Sequence, residues 1–161
     1  MSRPALRFIL VFLAVLLPLA GLRASGLETP AAAHVGAVTA GAAHVLLRPL
    51  QPGLQRSGNL LAGPHGALEI AEPCSGFELI ALLLAALVAF PLARRRRALA
   101  LLLLVPFVLA LNVVRVASLA LLLEYGAPVF ETAHLFVWQG FLVLAGLAYW
   151  LVWAAPATEV A

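Results

Sequence analysis

The sequence predicts an all-α polytopic membrane protein of about four transmembrane helices, with an outer interfacial helix and a small β-hairpin after the first of them. Three observations predict it. Of 161 residues, 64% are hydrophobic and 11% are charged, against an apolar share of roughly 45–50% in ordinary globular chains. The apolar residues gather into runs of the length a helix needs to cross the hydrocarbon core, about 20 residues. The 10 basic residues are all arginine, and four are consecutive at Arg94 to Arg97. Without that run the net charge of +3 becomes −1. The basic balance is therefore one local cluster rather than a nucleic-acid-binding surface, and no nucleic-acid partner is expected.

The elements follow in chain order. Residues 6–22 form the first apolar run, within an N-terminal anchor over 1–24. Arg3 and Arg7 ahead of its apolar stretch Phe8 to Ala20 also describe a secretory signal. The poor cleavage site around Gly21 to Ser25 favours a retained anchor over a cleaved one. An extracytoplasmic segment over 25–73 comes next. Its Ala-rich stretch 31–48, entered through Thr29-Pro30, reads as a helix lying on the membrane, with a short fifth crossing as the alternative. Residues 54–61 and 66–71, separated by Ala62-Gly63-Pro64-His65, read as a hairpin spanning 54–71. A membrane core over 74–154 holds spans at 77–93, 98–123 and 135–154, and 155–161 is a tail. Basic residues concentrate in cytoplasmic loops. Arg94 to Arg97 therefore place their loop and both termini in the cytoplasm, in a plasma (inner) membrane, and the starts of the second and fourth spans outside.

An ionisable residue in or beside an apolar span is costly and marks a candidate functional site. Cys74 immediately precedes the second span. A lone cysteine there has a bland reading as a small hydrophobe, and a functional one as a thiolate at a helix N-terminus. Being alone, it excludes an intramolecular disulfide framework and a multi-thiolate metal site. Arg115 lies in the third span, where the bland reading is an arginine snorkelling to the interface. Asn112 and Ser118, three residues to either side, share its helical face and suggest a polar stripe. Pro106, upstream, is expected to bend this helix. His134 opens the fourth span. All three arrive at the same outer face although the orientation was assigned from arginines alone. Together they supply a nucleophile, a charge stabiliser and a proton-transfer group, the inventory for acyl transfer. His34, His44 and His65 have no ligand-like spacing, so no metal or other cofactor is expected. Glu78 reads as a marker of the water boundary.

At these residues the chain resembles the exosortase/archaeosortase family of membrane transpeptidases. The resemblance rests on Cys74-Ser75-Gly76 at the outer start of a span, Asn112-Val113-Val114-Arg115 in the next, and His134 beginning the one after. The stretch from Arg56-Ser57-Gly58-Asn59 to Leu68-Glu69-Ile70-Ala71-Glu72 is similar to the family's approach to its cysteine. The resemblance implies catalysis by Cys74, Arg115 and His134, with Asn112, Ser75 and Gly76 in support. It implies cleavage of C-terminal sorting signals of the PEP-CTERM kind on exported proteins, through a thioacyl-enzyme, and transfer to a membrane-lipid or surface acceptor. Typical members carry further N-terminal spans, so a membrane partner supplying them is one expectation. A non-catalytic accessory module of an export system, and a hydrolase using the same residues, are the alternatives.

Overall fold

The computed structural model describes residues 3–27, 29–71 and 75–155. Their elements are helices α1 (Arg3–Ala24) and α2 (Thr29–Leu47), strands β1 (Gln55–Ser57), β2 (Leu60–Gly63) and β3 (Gly66–Glu69), and helices α3 (Phe77–Ala89), α4 (Arg94–Leu122), α5 (Ala127–Thr132) and α6 (Trp138–Ala154). Four helical runs are long and apolar enough to cross a membrane: α1, α2, α4 with its 3₁₀ continuation to Tyr125, and the run Ala127–Ala154. The all-α polytopic class expected from the sequence is the one observed.

The boundaries differ from expectation in four places, each for a local reason. The expected span over 77–93 is helical only to Ala89. Pro91 disfavours helical geometry in the residue before it, and Phe90 is already extended at φ −77° and ψ 140°. At 1.5 Å per residue α3 is about 20 Å long, short of the ~30 Å hydrocarbon core.

The arginine run is not a loop but the first turn of α4, since arginine is a good helix former. Two of its side chains close the ends of other helices, whose last carbonyls lack partners within their own helix. Arg96 donates from Nη1 to the carbonyl of Ala155 at 2.5 Å and from Nη2 to that of Val152 at 3.3 Å, at the end of α6. Arg97 donates from Nη2 to the carbonyl of Phe90 at 3.1 Å, just beyond α3.

The expected hairpin is a three-stranded antiparallel meander. Ser57 pairs with Leu60, and Gly63 with Gly66. Gly58 at φ +59° makes the extra turn, taking a conformation that other residues adopt only at a cost. Finally, the last helical run starts at Ala127 rather than near 135, opened by Pro128 in its first turn.

Helix α4 is the spine. Ala100, Leu104, Val108, Asn112, Arg115 and Leu119 are buried along it at spacings of three and four residues. Near its far end Val116, Ala117 and Ala120 meet Ala40, Ala43 and Leu47 of α2, together with Leu54, Leu61 and Ile70 around the sheet. Pro106 sits inside α4 without ending it.

Neighbouring helices alternate in direction. Arg23 near the end of α1 pairs with Glu78 near the start of α3. Arg3 and Arg7 at the opposite end of α1 lie by Val88 to Pro91 and Arg97. Tyr149 of α6 stacks on Phe107 of α4 at 4.5 Å and donates its hydroxyl to the carbonyl of Ala100 at 2.5 Å. Arg3 and Arg7 of α1 and the Arg94–Arg97 run of α4 thus gather at one end of the bundle. Helix α2 begins one short turn after α1, through Gly26 at φ +72°. It ends beside the far end of α4, so both its ends lie away from the cluster of Arg3, Arg7 and Arg94 to Arg97.

The approach of α3 to α4 leaves no room for a side chain at Gly76. Its φ is +81°, and a Cβ there would lie 2.8 Å from Cγ1 of buried Val108. Val108 is β-branched and cannot swing aside. At Gly146 of α6 a Cβ would also come to 2.8 Å, but from Cδ1 of Leu79, the movable tip of a longer side chain. We expect Gly76→Ala to destabilise the protein by about 2–4 kcal/mol, combining left-handed strain with overpacking. Gly146→Ala should cost about 1 kcal/mol or less. Thermal unfolding of both variants in the same detergent reads the difference, and equal losses would contradict it.

Candidate functional site

Where β3, α3, α4 and the α5–α6 run converge, a cavity of about 560 Å³ opens. Its walls are Ile70, Ala71, Leu119, Phe130 and Leu135, and Glu69, Glu78, Arg115, His134 and Gln139 bring polar groups to it. The volume lies within the ~300–1,000 Å³ range of ligand sites.

Arg115 enters from the spine. It is 5% exposed, and its Nε is buried with no hydrogen-bond partner among the described residues. A buried donor without a partner is costly unless something else is there to accept from it. The expected polar stripe on α4 is only partly seen. Ser118 turns its hydroxyl back to donate to the carbonyl of Arg115 at 2.9 Å, satisfying its own helix rather than the bundle. Asn112 is buried at 2% exposure, one turn below Arg115 on the same face, and does not line the cavity.

His134 comes from the opposite wall. It does not begin its helix, as expected, but lies in a π-helical turn, Ala133–Val137, between α5 and α6. In an α-helix residues five apart point about 140° away from each other. The wider π turn brings them closer to one face, and His134 and Gln139 both reach the cavity. The half-buried His134 ring lies 5.7 Å from that of Phe130, tilted by 41°. Arg115 and His134 are close enough for their charges to interact.

Cys74, with Glu72 and Pro73, lies outside the described residues. The chain on both sides of it is described. Ala71 lines the cavity, and Ser75 is buried at 4% exposure, its Oγ accepting from the backbone N–H of Phe77 at 3.3 Å. That bond satisfies one of the donors left open at the start of α3. Gly76 meets α4 at Val108, one turn short of Asn112 and two short of Arg115. Because α3 is short, its start lies well below the far end of α4.

Sequence reasoning did not single out Glu69 or Gln139. The strand carrying Glu69 was legible, but the π turn that re-aims Gln139 was not. Glu78, read as a boundary marker, both lines the cavity and pairs with Arg23 across helices. Nothing in local pattern connects residues that far apart. Among the described residues no group of three or more His, Cys, Asp or Glu side chains could hold a metal ion.

The different surroundings of Asn112 and Ser118 predict different costs. Asn112→Ala should destabilise by about 1–3 kcal/mol, the cost of disturbing a buried polar group. Ser118→Ala should change stability by less than ~0.5 kcal/mol. Unfolding in detergent measures both, and a large loss for Ser118→Ala would show that its hydroxyl serves more than its own helix.

No curated protein and no solved structure matches the chain. The family of transmembrane exosortases matches it over residues 2–156, which takes in the whole of the bundle and the sheet. That match, nearly end to end and over a bundle of apolar helices, makes the chain a member of the transmembrane exosortase family.

Proposed function

We propose that the protein is a membrane cysteine transpeptidase that cleaves C-terminal sorting signals, of the PEP-CTERM kind, from exported proteins. The observation that carries the reading is the cavity shared by Arg115 and His134, which also receives the chain leading to Cys74. Two groups from separate helices, one a buried guanidinium with an unpartnered donor, face the space where a reacting carbonyl would sit.

In this mechanism the Cys74 thiolate attacks the scissile carbonyl carbon, and the carbonyl electrons move onto oxygen. Arg115 donates hydrogen bonds to the oxyanion, in a setting dry enough to strengthen them. The intermediate collapses by breaking the C–N bond. Protonated His134 gives its proton to the leaving amine, and a thioester remains on Cys74. Neutral His134 then takes a proton from the acceptor nucleophile, which attacks the thioester and releases the thiolate. Asn112 supports Arg115 from one turn below, and Ser75 and Gly76 fix the start of α3. No cofactor enters the reaction.

The arginine end of the bundle faces the cytoplasm by the positive-inside rule. The cavity and Cys74 then face outward, α2 lies along the outer surface, and both termini are on the cytoplasmic side of the plasma membrane. A sorting-signal helix would be cut where it leaves the bilayer. The acceptor is a lipid or surface group.

Two measurements test the reading. Cys74→Ala should abolish processing, so that mass spectrometry of exported membrane-anchored proteins finds longer forms keeping an apolar helix and basic tail. Arg115→Lys should lower processing by about 10²-fold or more, because one donor to the oxyanion is worth that much and lysine lacks the planar fork. Unchanged C-termini with Cys74→Ala still inserted would replace the enzyme by a non-catalytic accessory module. For topology, a membrane-impermeant thiol reagent should label Cys74 in intact cells. Labelling only after permeabilisation would invert the orientation.

A further inference from the structure

At the opposite end of the bundle a second cavity, of about 570 Å³, opens between α1, α3 and the start of α4. Three arginines line it: Arg3 and Arg7 from α1, and Arg97 from α4. No acidic side chain does. Three arginines lining one space, Arg3 and Arg7 exposed and Arg97 half-buried, repel one another unless an anion sits among them. Arg97 is held in place through its bond to the Phe90 carbonyl, while its Nε is buried without a partner among the described residues. The positive end of the α4 dipole adds to the same field. Beyond the charges the wall is apolar, with Phe8, Val11 and Val88.

A topology signal needs only a count of arginines in a loop. It does not need arginines from two distant segments lining one cavity. Arg94 and Arg95, absent from the lining, show what that simpler role looks like. Guanidinium groups recognise phosphate oxygens by forked donation. We infer that this cavity binds a phosphate group, carried by an anionic phospholipid whose acyl chain follows the apolar wall between α1 and α3.

Native mass spectrometry of the detergent-released full chain tests this, with phosphatidylglycerol and phosphatidylcholine of identical acyl chains as probes. The expected result is one retained phosphatidylglycerol per chain, in at least tenfold preference over phosphatidylcholine. Arg7→Gln with Arg97→Gln should lower that retention at least tenfold, and Arg94→Gln with Arg95→Gln, which removes the same charge outside the cavity, should leave it unchanged. Should the first pair fail to fold, Arg7→Lys with Arg97→Lys keeps the charge but removes the forks, and it should still lose several-fold. Equal losses from both pairs would reduce the effect to general attraction and overturn the site. Absence of a headgroup preference would overturn it as well. Displacement of the lipid by inorganic phosphate at equal concentration would show that the site takes the free ion and overturn the lipid assignment.

Discussion

Helices in a bilayer gain little by hiding apolar surface from one another, because lipid tails are as apolar as their side chains. What holds this bundle together is therefore close approach. The contacts along α4 are built on small residues: Ala100, Ala117 and Ala120 on the spine, Ala40 and Ala43 on α2, and Gly76 before α3. Each lets backbones come near enough for dispersion forces to accumulate. The site depends on this directly. Gly76 against Val108 fixes where α3 begins, two turns of α4 short of Arg115.

Polar groups supply the remaining constraints, and they sit at the ends of the bundle. Arg96 and Arg97 close the last carbonyls of two other helices, and Arg23 ties α1 to α3 through Glu78. Arg115 is the charged exception, a guanidinium buried partway along a helix with Asn112 a turn away. A fold tolerates such a residue when its charge has work to do. The two ends differ in what they present: one has a buried guanidinium with an imidazole, the other several arginines around an apolar pocket.

Much of this was legible in the sequence, because membrane spans announce themselves by length and because Cys74, Arg115 and His134 stand out against apolar neighbours. The all-α class and the family followed from those signals. The missing details depend on single residues acting locally or on residues far apart acting together. Pro91 ends α3 early, and Gly58 breaks one expected strand into two. A run of arginines reads as a loop until the carbonyls it caps are in view. The π turn at Ala133–Val137 has no compositional mark at all, and only the backbone reveals that Gln139 shares a face with His134. Cys74, the most telling residue of the sequence, lies outside the described residues.

The brevity of α3 also acts on the solvent around the protein. A helix of 13 residues falls roughly 10 Å short of a hydrocarbon core about 30 Å thick. A bilayer meeting so short an apolar wall thins toward it or draws polar material inward, at a modest cost for each ångström of mismatch. By that response the polar boundary of the bilayer would lie nearer the start of α3 than the ends of the longer helices. A bilayer thinned in this way leaves less hydrocarbon between the start of α3 and water, so the length of one helix sets the depth of the membrane beside it.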